Sequence, residues 1–196
     1  MELATYAAEY FRKLKEGLDR LDLKALEKII EVLAQARGAG KQIFIFGNGG
    51  SAATASHFAN DLNKLASMGS KKKFKAIALT DNVSLITAWA NDEAYAKIFS
   101  RQLDNLLNEG DIVIGISTSG NSENVIRALQ LASQRGAITI GLLGFDGGRM
   151  KDLVDYFLWF QENHYGRVED AHAIVCHIVT NFLRSAHRGH PAGLGA

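Results

Sequence analysis

Apolar positions recur along this chain in two rhythms. Over residues 3–20, Tyr6, Tyr10, Leu14 and Leu18 repeat at helical spacing. After Asp22, a candidate N-cap, Leu23, Leu26, Ile30 and Leu33 repeat on one face, and Gly38 ends the run. The pattern predicts two N-terminal helices, or one long bent one. Their apolar face reads as core, with an oligomer contact as the alternative. From Lys41 the rhythm changes to short unbroken apolar runs at Ile43–Phe46, Phe74–Leu79, Asp111–Ile116, Ala137–Leu143 and Tyr156–Phe160. Helical patterns of about 10–15 residues separate them. Unbroken apolar strands alternating with helices predict an α/β fold with a parallel sheet covered on both faces. A last helix is expected from about Arg167 to His187, followed by a frayed tail over 188–196. No repeat, linker or second domain interrupts the pattern. The expectation is one domain over 1–196, with the N-terminal helices inside 1–38.

Composition narrows the function classes. Lys and Arg number 22 and Asp and Glu 21, a net charge of +1. Such a balance offers no field for a nucleic-acid backbone or an acidic membrane. The single Cys, Cys176, excludes an internal disulfide and a Cys-rich zinc module. No apolar run is long enough to span a bilayer and the N-terminus is charged too early for a secretory signal, so a cytoplasmic protein is expected. Lys71–Lys73 reads as a solvated loop, and Trp89 and Trp159 as core or interface aromatics. His164, His187 and His190 receive no role.

Two strands end in loops rich in glycine and hydroxyls. Gly47–Ser51 reads GNGGS and Ser117–Ser122 reads STSGNS, and each precedes a helical pattern. At the carboxyl ends of sheet strands, free N–H groups, the helix dipole and Ser/Thr hydroxyls make an anion site. GNGGS has no following Lys, so it is not a nucleotide P-loop, and neutral donors suit a monophosphate. The bland alternative is that Ser51 and Ser122 are simply N-caps and the glycines make turns.

Titratable groups cluster on two predicted helices. His57 and Asp61 are four apart and share a face. Glu169, Ala173 and His177 step by four on the last helix, with His172 and Cys176 as neighbours on that surface. Two His and two carboxylates are donors for zinc or another divalent metal, or an acid/base set without metal. Each pair alone is equally an ion pair or a hydrogen-bonded core His, and spacing does not show that the helices meet. Cys176 itself reads as a small buried hydrophobe.

Together, GNGGS, His57-Phe58, Ala90–Asp92 and STSGNS resemble the sugar isomerase (SIS) domain, and more closely the phosphoheptose isomerase family. Phe145–Met150 (FDGGRM) adds to the likeness. The resemblance spans nearly the whole chain. It implies a five-stranded parallel sheet with helices on both sides, and a homotetramer with N-terminal helices at its centre and active sites between subunits. It implies phosphate contacts at Ser117, Thr118, Ser119 and Ser122, and sugar contacts at Asn48, Gly49, Gly50, Asn91 and Asp92. Ser51 is counted with the substrate-binding set. The resemblance puts one zinc or other divalent metal per subunit on His57, Asp61, Glu169 and His177. The sequence departs from the family pattern twice: Asp61 stands where Glu is common, and Glu169 where Gln is common. The first shortens the expected base by one methylene; the second adds an anion.

The implied reaction is conversion of sedoheptulose 7-phosphate to glycero-manno-heptose 7-phosphate. Asp61 or Glu169 would move the carbon-bound proton, His177 the oxygen-bound proton, and Thr118 would donate to the enediolate. Two alternatives remain at this level. One is an isomerase of a different phosphosugar. The other is a non-catalytic SIS protein, either a sugar-phosphate binder or a partner of the replication initiator, a branch that resembles this chain in GNG, SAA, HF and ISTxGNS.

Overall fold

The computed structural model describes residues 2–186; the end of the last helix predicted at His187 and the tail over 188–196 lie outside the described residues. In chain order the elements are α1 (Leu3–Leu18), α2 (Leu23–Ala39), β1 (Gln42–Gly47), α3 (Gly50–Asn63), β2 (Lys75–Ala78) and α4 (Val83–Asp92). A single 3-10 turn (Tyr95–Lys97) follows, then α5 (Ser100–Leu106), β3 (Ile112–Ser117), α6 (Glu123–Gln134), β4 (Ile138–Leu143), β5 (Tyr156–Trp159) and α7 (Tyr165–Ser185).

Asp22 caps α2 as its position predicts, its carboxylate accepting from the backbone N–H groups of Lys24 and Ala25. Gly38 does not end that helix. The chain turns two residues later, at Gly40, where a left-handed φ of 70° closes the C-terminus.

All five strands are parallel, in the order β2-β1-β3-β4-β5. Alternation along β1 sends Ile43 and Ile45 to one face and Phe44 and Phe46 to the other. On the first face they pack with Leu33 of α2, Phe58 and Leu62 of α3, and Val175 and Val179 of α7. On the second they pack with Phe99 and Leu103 of the α5 region and with Val125, Ile126 and Leu129 of α6. Both faces are therefore covered, which is why the strands carry no polar alternation. The step from β4 to β5 crosses without a helix, through turns that bury Met150.

The N-terminal helices divide. α2 buries Leu26, Ile29, Val32, Leu33 and Ala36 in the core. α1 buries only Gly17 and leaves Leu3 82% and Phe11 68% exposed. Tyr10 ties α1 to α7 by donating to an Asp170 carboxylate oxygen at 2.6 Å. The core reading thus holds for α2 and in part for α1, whose Leu14 and Leu18 pack on the cluster of Phe160, Val168 and Ala171 while Leu3, Tyr6 and Phe11 stay exposed. An isolated periodic stripe does not reveal what covers it.

The free edge of β2 is closed by a side chain. Asn63, at the end of α3, donates to the carbonyl of Ala76 at 2.7 Å and accepts from its N–H at 2.9 Å.

Candidate active site

The chain leaves β1 for β2 on one side, and β3 lies on the other. The carboxyl ends of β1 and β3 therefore flank the point where strand order reverses, the place where open α/β sheets hold ligands. GNGGS and STSGNS lie there. Gly49 caps α3, so Ser51 sits inside the first turn, buried, and does not cap. Ser122 occupies the capping position of α6, yet its hydroxyl makes no capping bond. It lies 3.2 Å from the Ser117 hydroxyl, which accepts from the Gly120 N–H at 3.1 Å. Capping is therefore not what either serine does. The hydroxyls of Ser117 and Ser122 face one another at the N-terminus of a twelve-residue helix.

FDGGRM braces this loop from outside. Gly120 has φ 63°, and a Cβ there would stand 2.0 Å from the carbonyl oxygen of Gly147. Met150 N–H donates to Gly120 O at 3.0 Å, and Arg149 N–H to the Asn121 side-chain oxygen at 3.0 Å. Asn121 in turn donates to Ser119 O at 3.0 Å.

The helices α3 and α7 run side by side in one direction, since Gly50 meets Glu169 and His57 meets His177. Two turns along them three donors converge. His57 Nε2 lies 3.5 Å from His177 Nε2, and Asp61 Oδ2 lies 3.5 Å from the first and 3.9 Å from the second. Asp61 is 5% exposed, while the two imidazoles are half exposed. A cavity of about 170 Å³ opens between them, lined also by Thr54, Phe58 and Ala173. In a tetrahedral zinc site with ligands near 2.0–2.1 Å, ligand atoms stand about 3.3 Å apart. Two imidazoles and a carboxylate at these spacings fit such an ion and leave a fourth position open. Among the described residues the group is His57, Asp61 and His177, and Glu169 is not in it. Its carboxylate lies instead against the first turn of α3, where a Cβ on Gly50 would stand 2.3 Å from Oε1. About 12 Å of helix separates Glu169 from His177.

Cys176 is buried, as read from the sequence, and lines the floor of this cavity, while His172, expected on the same surface, points into the core. Burial pushes the Cys176 thiol upward, reinforced by the nearby Asp61 charge, and leaves it unreactive. His172 Nε2 meets the carbonyl of Leu143 at 3.1 Å, at the end of β4, while its Nδ1 has no partner. Burial lowers this imidazole to about 4.

The description "SIS domain" belongs to a family model that matches residues 6–144, well over half of the chain. The phosphoheptose isomerase of Geobacter sulfurreducens is 41% identical over 172 residues, covering 88% of this chain and 90% of that one. The chain belongs to the SIS-domain phosphoheptose isomerase family. The solved phosphoheptose isomerase from Neisseria gonorrhoeae superposes with a TM-score of 0.85 at 32% identity, over 93% of this chain and 97% of the other. That from Francisella tularensis gives 0.84 at 26% identity, over 93% and 96%. Membership makes this SIS-domain chain a sugar phosphate isomerase.

The SIS fold engages residues at the site that spacing did not single out. Asn124, 3% exposed, forms a reciprocal amide pair with Asn48, both bonds 2.9 Å. Tyr95 donates to the Asn48 side-chain oxygen at 2.8 Å. Asn91 and Asp92, at the end of α4, are exposed and hydrogen-bonded to each other at 2.9 Å. Asn124 stands two residues after Ser122 in the flagged loop, the one sequence signal that pointed near it. Tyr95 gave none. Lys71–Lys73 lie exposed in a loop, as expected, with the ammonium groups of Lys72 and Lys73 donating to the carbonyls of Gly38 and Ser67. Trp89 and Trp159 pack against the second core cluster.

Proposed function

We propose that this chain interconverts sedoheptulose 7-phosphate and D-glycero-D-manno-heptose 7-phosphate. The observation that carries this reading is a phosphate-shaped loop and an imidazole–carboxylate group on one scaffold, in a chain whose relatives bear the name of that activity over nine-tenths of its length.

The phosphate sits at the N-terminus of α6, held by the hydroxyls of Ser117, Ser119 and Ser122 and by free N–H groups of the first turn. The carbon chain lies toward Asn48, Gly49, Gly50 and Ser51, under Asn91 and Asp92. Glu169 takes the proton from the carbon beside the ketose carbonyl and returns it to the former carbonyl carbon. It suits this role because its carboxylate is half-buried at the crevice end of α7, beside Gly50 and next in sequence to Val168, which packs on the Gly144 turn. Asp61 accepts from Asn60 at 3.2 Å and faces both imidazoles, an arrangement of a ligand more than of a base. Thr118 donates to the enediolate oxygen, and His177, about 12 Å of helix from Glu169, belongs with the metal group rather than with this proton transfer. His57, Asp61 and His177 would hold one zinc or similar divalent ion, which supplies Lewis-acid polarisation of a substrate oxygen when bound.

The half-exposed imidazoles and the exposed apolar residues of α1, Leu3, Tyr6 and Phe11, support a homotetramer, in which a second copy covers this face and completes the site. No helix among the described residues is long and apolar enough to cross a membrane, which accords with a cytoplasmic enzyme.

The deciding experiment is turnover of sedoheptulose 7-phosphate by metal-stripped protein, with and without zinc. Zinc-restored turnover supports the reading whole. Turnover without zinc keeps the isomerase and removes the ion. No turnover in either tube overturns the substrate assignment.

A further inference from the structure

The Asn48–Asn124 pair spans the reversal point of the sheet, joining the loop after β1 to the first turn of α6. Each amide spends one N–H and one oxygen lone pair on the other. The second lone pair of the Asn48 oxygen is taken by the Tyr95 hydroxyl. Asn48 thus presents only one remaining N–H to a ligand. Tyr95 stands three residues beyond Asp92 and is 57% exposed. Its neighbours make that segment a compact unit: Ala94 N–H donates to Trp89 O at 3.1 Å and Lys97 N–H to Ala94 O at 2.9 Å. The outer helix α4 buries no residue completely; Ile86, Trp89 and Ala90 pack partly on the second core cluster, while the exposed last turn that carries Asn91 and Asp92 lies beyond that packing. The hydroxyl of Tyr95 is a polar tether from that turn onto the loop after β1.

We infer that Tyr95 is a positioning residue, whose hydroxyl latches the Asn91–Asp92 turn onto Asn48 and so presents that turn to the sugar end of the bound phosphosugar. This rests on the substrate reading above for its second half only; the latch itself is a property of the free protein. Tyr95 touches no reacting atom. It acts through Asn48 and through the turn it holds.

The test is Tyr95→Phe, which removes one hydroxyl at an exposed position and leaves the ring. Hydrogen exchange on the free protein reads the latch directly. The amides of Ala94 and Lys97 are expected to exchange about fivefold faster, with other protected amides unchanged. Steady-state kinetics with sedoheptulose 7-phosphate reads the consequence. KM is expected to rise about fivefold while kcat stays within twofold. In an Asp92→Asn background the same substitution is expected to add little, because both changes act through one turn. Unchanged exchange at Ala94 and Lys97 overturns the latch. Faster exchange with an unchanged KM overturns the positioning role. Faster exchange in a protein whose wild type turns over no heptose phosphate retains the latch and discards the substrate reading instead.

Discussion

The loop after β3 and the His–Asp group between α3 and α7 are built on opposite terms. Every part of the loop is held by the chain itself: Ser117 accepts from Gly120, Asn121 bridges Ser119 and Arg149, and Gly147 packs onto Gly120. The His–Asp group has a buried carboxylate beneath two half-exposed imidazoles that face mainly each other. On the proposed reading the first is an anion cradle finished by folding. The second would gain its order from something bound, an ion or a second copy. A preorganised cradle loses little entropy on binding, whereas a group of convergent donors waits for its ligand to become rigid.

The comparison is most easily broken at Glu169, which belongs to neither region. Glu169→Gln keeps the shape and removes the proposed base, and kcat is expected to fall roughly a hundred- to ten-thousandfold with the fold intact. Asp61→Asn is expected to cost zinc affinity first, with much of kcat recovered at high zinc. The reverse pattern in a zinc titration of both variants would transfer the base to Asp61.

Next in size is a pH effect behind the cradle. His172 is held at about 4 by burial, against 6.5 when the chain is unfolded. Between those values the unfolded chain binds the extra proton. The stability contributed is therefore complete above pH 6.5 and is lost as pH falls toward 4, by about 3 kcal/mol at most. Urea melts of wild type and His172→Phe at pH 7 and 4.5 check it: the wild type is expected to weaken more steeply than the variant.

Zinc gives an effect of similar size. Free zinc at a hundred times its dissociation constant is expected to stabilise the metal-stripped protein by about 2.7 kcal/mol. His57→Ala should lose that gain and leave the melting temperature without zinc nearly unchanged. A gain that survives in His57→Ala would place the ion elsewhere.

The smallest effect sharpens the cradle. A capping serine costs about 1 kcal/mol of stability when replaced by Ala. Ser122 makes no capping bond, so Ser122→Ala is expected to leave stability within about 0.5 kcal/mol while weakening inorganic phosphate binding about fivefold. A stability loss with unchanged phosphate binding would restore the capping reading.

The strands were legible because a sheet buried on both faces writes its strands as unbroken apolar runs, and the runs at Ile43 and Ile114 do so. Asp22 and both hydroxyl loops were legible because their signals are local. What sequence hid is non-local. Asn124 meets a partner 76 residues away and Tyr95 one 47 residues away, and neither pairing leaves a trace in local spacing. Glu169 and His177 share a helical stripe, yet only the packing of α3 on α7 decides that one meets Gly50 and the other His57. Cys176 was legible as a buried hydrophobe, whereas His172, on the same helix, is taken into the core although a polar side chain gives no such signal.

Asn63 gives β2 an ending that a sixth strand would otherwise supply. Its amide answers both outward groups of Ala76, so the sheet reaches its border already saturated at that point. Two molecules approaching along this border meet a strand whose outward groups at Ala76 are already taken, which opposes fusion of their sheets into one continuous ribbon. They meet through side chains, reversibly, and growth into cross-β fibres from this border first requires the last turn of α3 to come undone.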